Sequence, residues 1–395
     1  FKNIDDGGFD VTSKGIQAVA NYVNTNGGVG GRKLNPIINP YTGQNDSPEY
    51  AEAQCRAFTQ DTEVFAVVMD GQFQNNARPC YQSARTIMLD QTYFPLDQQE
   101  YQAYSPYLWS TSLPRFDSFV KTLLPNLKSA GWFDGAQGVA IIAPDADVTR
   151  RVIDTIVNPY LQSIGVTKSA SFFIDVSNIG TLGATSSAAL SGAKNQGLDR
   201  VITIGGERIA AVALSASEAE ELTAKYTMSS YDNPAFFVDN PDTIVARSRI
   251  GMAGLGFSPS SDNRADSSTL PFPDPARPNE GLCKQIVDSA GAAPPEGNRE
   301  NYRIILQFCD ATLLLKAALD KAPKSVTPNA FKDAMWSLGN TYSSAVAYGS
   351  SWTQGQYAGA TTVRQVTWDE ACTLKDRPAK GCFRIAPVDI PLATN

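Results

Sequence analysis

The 395-residue sequence contains no histidine. Histidine is the commonest general base and the usual partner of serine and cysteine nucleophiles, and its imidazole is the commonest metal ligand. Its absence argues against most hydrolase mechanisms and excludes imidazole metal sites. We therefore expect no catalytic residue, no metal site and no cofactor.

The sequence also lacks a long apolar run and an excess of basic residues. No stretch approaches the roughly 18 apolar residues that a membrane-spanning helix needs, and Phe1-Lys2-Asn3 has no apolar signal core. The 33 Lys and Arg residues are outnumbered by 40 Asp and Glu residues, which gives a formal net charge of -7. Because nucleic acids and anionic lipids bind basic surfaces, we expect neither as the main partner. A small-molecule ligand is expected instead.

Six cysteines are present, and none of them forms a Cys-x-x-Cys pair. Zinc ribbons and thioredoxin-type motifs are therefore not supported. The even number favours disulfides, which would place the protein outside the cytosol, whereas buried free thiols in a cytosolic protein are the alternative. The sequence does not choose among the possible connectivities. Pairing of nearest neighbours would join Cys55 to Cys80, Cys283 to Cys309, and Cys372 to Cys382.

The composition and the order of apolar patterns predict two α/β units. The chain is 42% apolar and 18% charged, and its length exceeds what one modest core needs. Apolar runs of strand length without polar alternation indicate parallel strands buried on both faces, and helical patterns between them predict βαβ units. Residues 258–295, rich in Pro, Ser, Asn and Asp, predict a long surface connection. The predicted strands are residues 34–39, 64–69, 87–89, 138–143, 170–174 and 200–204, and a hairpin with residues 363–368 as one arm is expected near the end.

One part of the sequence carries a family resemblance. The glycine turn Gly27-Gly28-Val29-Gly30-Gly31-Arg32-Lys33-Leu34, the helix with Cys55, and the strand at residues 64–69 follow each other in this order. Together they resemble the type I periplasmic-binding-protein family, specifically its branched-chain amino-acid-binding branch, and the likeness covers nearly the whole chain. The resemblance implies an α/β fold with two doubly wound parallel-sheet lobes and a hinge, in which the ligand lies at the lobe interface. The lobes would comprise residues 1–112 with 260–340, and 113–259 with 341–395.

The resemblance also implies a function and a location. The protein would be an extracytoplasmic solute-binding protein that captures an amino acid or a related carboxylate or amide, and delivers it to the membrane permease of an ABC transporter. It would be a monomer in the periplasm or a cell-surface lipoprotein, secreted by a signal peptide that the given chain does not contain. A ligand-sensing receptor domain is the nearest alternative. A histidine-free α/β enzyme would need paired carboxylates such as Asp145 with Asp147, and nothing in the sequence marks these as catalytic.

Candidate ligand contacts follow the predicted strands, because doubly wound sheets bind ligands beyond the carboxyl ends of their strands. Gln91 and Thr92 match the family position where a backbone amide and a hydroxyl hold the ligand carboxylate. Structural roles compete with several candidates: packing for Tyr93, helix capping at Thr149, a mutual ion pair of Glu207 with Arg208, and a plain turn at Asp232. The full set of candidates is Gln72, Phe73, Gln91, Thr92, Tyr93, Asp147, Glu207, Arg208, Tyr231 and Asp232.

The disulfide hypothesis makes a direct prediction. If all six cysteines are oxidised, alkylation without a reductant leaves the mass of the denatured chain unchanged, because only free thiols react. After reduction, the same alkylation adds six labels. Six labels without reductant would contradict both the disulfides and the extracytoplasmic location.

Overall fold

Helices and short strands alternate along most of the chain. A computed structural model describes residues 6–39, 41, 46–70, 74–177, 179–239, 246–262, 270–295, 297–373 and 380–394, of which residues 6–9, 179, 207, 208, 211, 218, 219, 239 and 246 are described by their backbone alone. The strands are β1 Ala66–Met69, β2 Ile87–Asp90, β3 Leu108–Ser110, β4 Val139–Pro144, β5 Ser169–Ile174, β6 Arg200–Thr203, β7 Lys225–Tyr226, β8 Ala253–Gly256, β9 Thr362–Thr373, β10 Lys380–Ile385 and β11 Ile390–Pro391.

The first two helices precede β1, and the others lie between strands. They are α1 Asp6–Thr25, α2 Pro48–Arg56, α3 Arg78–Ser83, α4 Gln98–Ala103, α5 Phe116–Ser129, α6 Asp147–Val152, α7 Asn158–Ser163, α8 Ile179–Asn195, α9 Glu207–Ala219, α10 Pro234–Asp239, α11 Ala246–Arg249, α12 Pro259–Asp262, α13 Pro278–Ser289, α14 Arg303–Lys321 and α15 Pro328–Trp336. Among the described residues, no helix has the length and apolar character needed to cross a membrane.

The chain divides into two compact units. Unit 1 comprises Phe1–Thr92, Tyr101–Leu113 and Leu270–Thr361, and unit 2 comprises Tyr93–Glu100, Pro114–Thr269 and Thr362–Asn395. This division differs from the lobe boundaries expected from the sequence in four places, at residues 93–100, 113, 260–269 and 341–361. Residues 341–361 belong to unit 1, where the Ser110 amide donates to the Tyr357 carbonyl at 3.0 Å. Residues 93–100 belong to unit 2, where the Arg151 guanidinium binds the Asp97 carboxylate at 2.6 Å.

Unit 1 contains a three-stranded parallel sheet in the order β1-β2-β3. Every residue of the central strand β2 is buried, as a strand covered on both faces must be. Helix α2 begins as the sequence predicts, with Pro48 at its first position and the Ser47 side chain accepting from the Tyr50 amide at 3.2 Å. The predicted strand at residues 34–39 is wrong, because within the described residues this extended segment pairs with no strand.

Unit 2 contains a four-stranded parallel sheet and an antiparallel sheet. The parallel strands lie in the order β5-β4-β6-β7, and the central β4 is buried along its whole length. The antiparallel sheet joins β9 to β8, β10 and β11, which confirms the hairpin expected near the C-terminal end. The doubly wound α/β class is therefore confirmed in each unit.

The expected surface connection at residues 258–295 is only partly correct. Helix α13 lies inside it and buries Cys283, Ile286 and Val287. Pro278 stands at the start of this helix, a position that tolerates proline because the missing N–H has no helical partner. The helix was not predicted because the segment is rich in proline and the apolar face of α13 is short.

Three disulfides join neighbouring elements. Their Cα–Cα distances are 6.3, 5.9 and 5.6 Å, and no cysteine is free. The first links α2 to α3, the second links α13 to α14, and the third links the adjacent ends of β9 and β10. The nearest-neighbour pairing is therefore confirmed, as Cys55–Cys80, Cys283–Cys309 and Cys372–Cys382.

A buried carboxyl group in unit 1 holds α14 against the segment that follows α15. The Asp310 carboxyl oxygens accept from the Ser344 hydroxyl at 2.6 Å, the Tyr342 hydroxyl at 2.8 Å and the Ala345 amide at 2.8 Å. Burial raises the pKa of Asp310 to about 6, although these three donors favour the charged form. Removal from water is thus the larger of the two effects.

The raised pKa makes the stability of unit 1 depend on pH. The folded chain holds the Asp310 proton more tightly than the unfolded chain, so this group's contribution is fully present below about pH 4 and is lost as the pH rises through about 6. In Asp310→Asn the side chain does not titrate. We expect the unfolding free energy of the unchanged protein, relative to that of the variant, to fall by up to roughly 3 kcal/mol between pH 4 and pH 7. Urea unfolding of both proteins across this range measures the difference, and a difference independent of pH would contradict the assignment.

Candidate functional site

The carboxyl end of β2 in unit 1 is organised by a buried ion pair. Asp90 is fully buried, and one of its oxygens accepts from Nε and Nη2 of Arg78 at 3.1 and 2.6 Å. The other oxygen accepts from the backbone amide and the hydroxyl of Thr92 at 2.8 and 2.6 Å. The Thr92 groups that the sequence assigned to a ligand carboxylate are therefore engaged by Asp90 in this structure.

The neighbouring Gln91 has one side-chain atom with a hydrogen-bond partner and one without. The residue is fully buried, and its Oε1 accepts from the Ser112 hydroxyl at 2.6 Å. Ser112 follows β3, so this bond joins the carboxyl ends of two neighbouring strands. The Gln91 Nε2 has no hydrogen-bond partner among the described residues. A buried amide N–H without an acceptor is costly, which makes this atom a candidate for a ligand oxygen.

Tyr93 lies at the start of the 93–100 segment of unit 2. Its backbone has a φ of 57°, a left-handed conformation that a bulky residue rarely adopts. The hydroxyl lies 2.8 Å from the Ser261 hydroxyl and donates to Ser258 at 3.2 Å, while the ring stacks on Phe257 at a centroid distance of 5.9 Å. The packing role that competed with ligand contact is therefore present, and a ligand contact by Tyr93 stays a prediction.

At the carboxyl end of β4 in unit 2, the acidic side chains are exposed. Arg150 Nε donates to Asp145 at 2.7 Å, and Asp147 opens α6. The Thr149 hydroxyl donates to the Pro144 and Ala146 carbonyls at 2.6 and 2.8 Å. The expectation that Thr149 caps a helix at Arg150 is therefore wrong, since α6 begins earlier and the hydroxyl acts as a donor.

The end of β5 carries a pair that the sequence did not single out. The Ser177 amide and hydroxyl donate to the Asp175 carboxylate at 2.9 and 2.6 Å. These two bonds lower the pKa of Asp175. Asp175 therefore stays charged to a lower pH than an ordinary aspartate.

Gly205 and Gly206 follow β6, and the backbone at Gly205 lies close to Pro144 and Pro95. Gly205 has a φ of 103°, and a Cβ there would lie 2.9 Å from Pro144 Cδ and 3.0 Å from Pro95 Cγ. Only glycine fits such a position without strain. Glu207 and Arg208 are the first residues of α9, but their side chains lie outside the described part of the chain, as do Gln72 and Phe73 entirely.

Tyr231 and Asp232 lie in the interior of unit 2. The Tyr231 ring contacts Phe257 and Phe119 at centroid distances of 4.8 and 5.4 Å, and the residue is 1% exposed. The Asp232 carboxylate accepts from the amide and the hydroxyl of Ser229 at 2.8 Å each, which closes a capping box. Both residues thus have structural roles here, and their assignment to a ligand stays a prediction.

Each unit therefore gathers polar groups at the carboxyl ends of its parallel strands. In unit 1 the sequence pointed to Gln91 and Thr92, and the structure adds Ser112 and the Arg78–Asp90 pair. Ser112 was missed because β3, which it follows, has only three residues and leaves no pattern in the sequence. Arg78 was missed because it stands at the start of α3, not at a strand end. Among the described residues, no group of three acidic or cysteine side chains is placed to hold a metal ion.

Several solved structures have a similar fold. A solute-binding protein of an ABC transporter from R. palustris, in complex with 4-hydroxybenzoate, superimposes with a TM-score of 0.66 at 15% identity, covering 95% of this chain and 91% of that chain. A periplasmic binding protein type 1 from Bordetella pertussis Tohama I gives 0.61 at 13% identity, over 98% and 97% of the two chains. The chain has the type I periplasmic-binding-protein fold.

Other structures with this fold include branched-chain amino-acid transport proteins. One from Thermus thermophilus with bound valine has a TM-score of 0.61 at 14% identity, covering 98% of this chain and 93% of that chain. No family model and no curated protein matches the sequence. The fold implied by the glycine turn and the strand order is thus confirmed at the level of structure.

The buried ion pair makes a stability prediction for this strand end. In Asp90→Asn the Arg78 guanidinium loses its carboxylate partner inside the protein, which we expect to destabilise the fold by about 3–5 kcal/mol in urea unfolding. The matched control is Asp134→Asn, because the Asp134–Lys128 pair spans 3.7 Å and both side chains are largely exposed. The control should change stability by at most about 1 kcal/mol. Equal effects of the two substitutions would show that burial does not set the contribution of the Arg78–Asp90 pair.

Proposed function

We propose that the protein is an extracytoplasmic solute-binding protein, which captures a small ligand and delivers it to an ABC importer. The observation that carries this proposal is the fold itself, which matches ABC-transporter solute-binding proteins over more than nine-tenths of both chains. Two such structures hold 4-hydroxybenzoate and valine. Because one fold can host several functions, the residues at the strand ends must support the assignment as well.

The strand ends support a ligand that offers hydrogen-bond acceptors. In unit 1, Gln91 Nε2 is a buried donor with no partner among the described residues, and an oxygen of a carboxylate would satisfy it. Both 4-hydroxybenzoate and valine carry a carboxylate. The ligand we propose is therefore an amino acid or a related carboxylate or amide, with Gln91 as a contact in unit 1.

The disulfides and the net charge support the proposed location and partners. The Cys55–Cys80, Cys283–Cys309 and Cys372–Cys382 disulfides are typical of proteins that fold in an oxidising compartment. The net charge of -7 disfavours nucleic acid as a partner. The protein we propose is a monomer outside the cytoplasm, whose macromolecular partner is the permease.

An enzymatic function finds less support at these strand ends. The carboxylates that a histidine-free mechanism would use are engaged in structural contacts: Asp145 pairs with Arg150, and Asp90 pairs with Arg78. Asp147 is exposed, whereas a carboxylate whose pKa is shifted for catalysis by burial would be enclosed. Binding without chemical change is the function we propose.

Thermal melting against a defined panel tests the proposal. The panel contains valine, leucine, isoleucine, 4-hydroxybenzoate, 3,4-dihydroxybenzoate and a neutral polyol. A ligand present at about 100 times its Kd adds roughly 2.7 kcal/mol to the folded state, which raises the melting temperature measurably. We expect a saturable rise with one carboxylate class and recovery of that ligand unchanged. A flat panel, or conversion of the ligand to a product, would contradict the proposal.

A conservative variant tests the Gln91 contact within the same assay. Gln91→Glu retains the acceptor for Ser112 and removes the Nε2 donor, so we expect the Kd for a carboxylate to rise roughly 10- to 100-fold. Gln102→Glu makes the same chemical change on the exposed side of α4 and should leave the Kd unchanged. Binding by the Gln91 variant as tight as that of the control would remove Gln91 from the site without affecting the proposed function.

A further inference from the structure

The side chain of Gln91 in unit 1 is held by one neighbour. Among the described residues, its Oε1 accepts from the Ser112 hydroxyl at 2.6 Å, and its Nε2 has no partner. The Gln91 backbone is fixed separately, because its amide donates to the Met69 carbonyl at 2.8 Å. The direction in which Nε2 points therefore depends on where Ser112 stands.

Ser112 follows β3, and the residues on either side of it are fixed. Ser112 and both of these neighbours are 0% exposed. The Leu113 carbonyl accepts from the Ala360 amide at 3.2 Å. The Thr111 carbonyl lies so close to Gly359 that a Cβ on this glycine would meet the carbonyl oxygen at 2.3 Å. The backbone on both sides of Ser112 thus rests on residues 359 and 360.

These two residues are connected in turn to segment 342–350. Ser350 forms an antiparallel bridge with Ala360. The Ser350 hydroxyl accepts from the Ser344 amide at 3.0 Å and donates to the Tyr342 carbonyl at 3.0 Å. A shift of segment 342–350 would therefore be transmitted to the backbone around Ser112.

Asp310 of α14 anchors segment 342–350 and also faces Thr111. Its carboxyl oxygens accept from three groups of residues 342–345, as described above. The Thr111 hydroxyl, which makes no hydrogen bond of good geometry, is close enough to favour the charged form of Asp310 and lower its pKa. Asp310 is thus connected to Ser112 by two routes, one through Thr111 and one through segment 342–350.

We propose that Asp310 is a positioning residue for the Gln91 contact. Its charged carboxylate holds Thr111 and segment 342–350 in place, so that Ser112 keeps the Gln91 Nε2 directed at a ligand oxygen. The inference rests on the proposed function, in which Gln91 binds a carboxylate. Asp310 itself touches no ligand in this arrangement.

Protonation of Asp310 disturbs this arrangement. A protonated carboxyl group carries a donor in place of one acceptor, whereas the groups around it donate to it. Burial raises the pKa of Asp310 to about 6, so the change falls near neutral pH. Tyr342 is the titratable group in contact with it, and burial raises the pKa of Tyr342 well above its ordinary value, so Tyr342 stays a donor. The other groups that face Asp310, from residues 344 and 345 and from the end of β3, are uncharged.

Acid pH affects ligand affinity and stability in opposite directions. The contribution of Asp310 to the stability of unit 1 is greatest at low pH, where the carboxyl group is protonated. The Gln91 contact needs the charged form, so ligand affinity falls at low pH. Weaker binding at low pH would therefore not be a consequence of unfolding.

Nuclear magnetic resonance of the ligand-free protein tests the positioning itself. We expect the side-chain amide signals of Gln91 to shift with pH, with a midpoint near 6, and to lose this shift in Asp310→Asn. Asp134→Asn alters an exposed carboxylate and should retain the shift. Gln91 signals that do not respond between pH 5 and pH 7 would overturn the proposal, and this result needs no variant. An equal response in Asp310→Asn would overturn it as well.

Binding of valine and 4-hydroxybenzoate, measured by calorimetry at pH 7.0 and pH 5.5, tests the effect on the ligand. If only the charged form is competent, the Kd of the probe that binds rises roughly three- to fourfold at the lower pH, because the charged fraction falls by that factor. In Asp310→Asn the Kd should be the same at both values, and Asp134→Asn should behave as the unchanged protein.

The pH profile separates positioning from a merely structural role. A structural role would weaken binding by Asp310→Asn at both pH values and leave the pH dependence of the unchanged protein in place, which would overturn the proposal. Failure of the proposed function gives a different result: neither probe binds, while the Gln91 signals still report the protonation of Asp310. That result would leave the positioning of Gln91 by Asp310 supported and its use for a carboxylate refuted.

Discussion

Parallel strands that are buried on both faces constrain where this chain can present polar groups. The interiors of β2 and β4 are inaccessible along their whole lengths, so polar side chains on these strands must either find internal partners or stand at the strand ends. Asp90, Gln91, Asp145 and Asp175 all lie at or just beyond a carboxyl end. Burial of the strand interiors thus leaves the strand ends as the places where each unit can offer polar groups to a ligand, and the candidate residues cluster at these ends.

Two carboxyl groups in the interior of unit 1 are held by several hydrogen bonds each. Asp90 uses both carboxylate oxygens for Arg78 and Thr92, and Asp310 accepts from three donors of the 342–345 segment. Such networks fix local geometry and leave few atoms unsatisfied. Gln91 Nε2 is one of several buried side-chain atoms of unit 1 without a partner among the described residues, and both amide atoms of Gln307 are others. Its place at the carboxyl end of β2 is what makes it a candidate ligand contact.

The sequence predicted the regular parts of the fold well. Continuous apolar runs revealed β1, β2, β4, β5 and β6, of which β2, β4 and β6 are buried along their whole lengths and β1 and β5 only in part. The nearest-neighbour order of the cysteines matched the disulfides. Strands β3 and β7 have three and two residues, too few to leave a pattern. Helix α13 was not predicted because its segment is rich in proline. Segment 34–39 has the composition of a strand, but it pairs with no strand among the described residues.

The candidate site could be predicted only in part, because a strand end indicates position and not bonding. The sequence located Thr92 correctly beyond the end of β2. The hydrogen bonds of Thr92 to Asp90 and of Asp232 to Ser229 depend on local turns that pattern alone does not reveal. We propose that this protein binds one small carboxylate and leaves it chemically unchanged. Native mass spectrometry of the protein purified from its source, followed by identification of the released ligand, tests this proposal. We expect one small carboxylate per chain, which rebinds after release; recovery of the ligand as a reaction product would show that the protein transforms it.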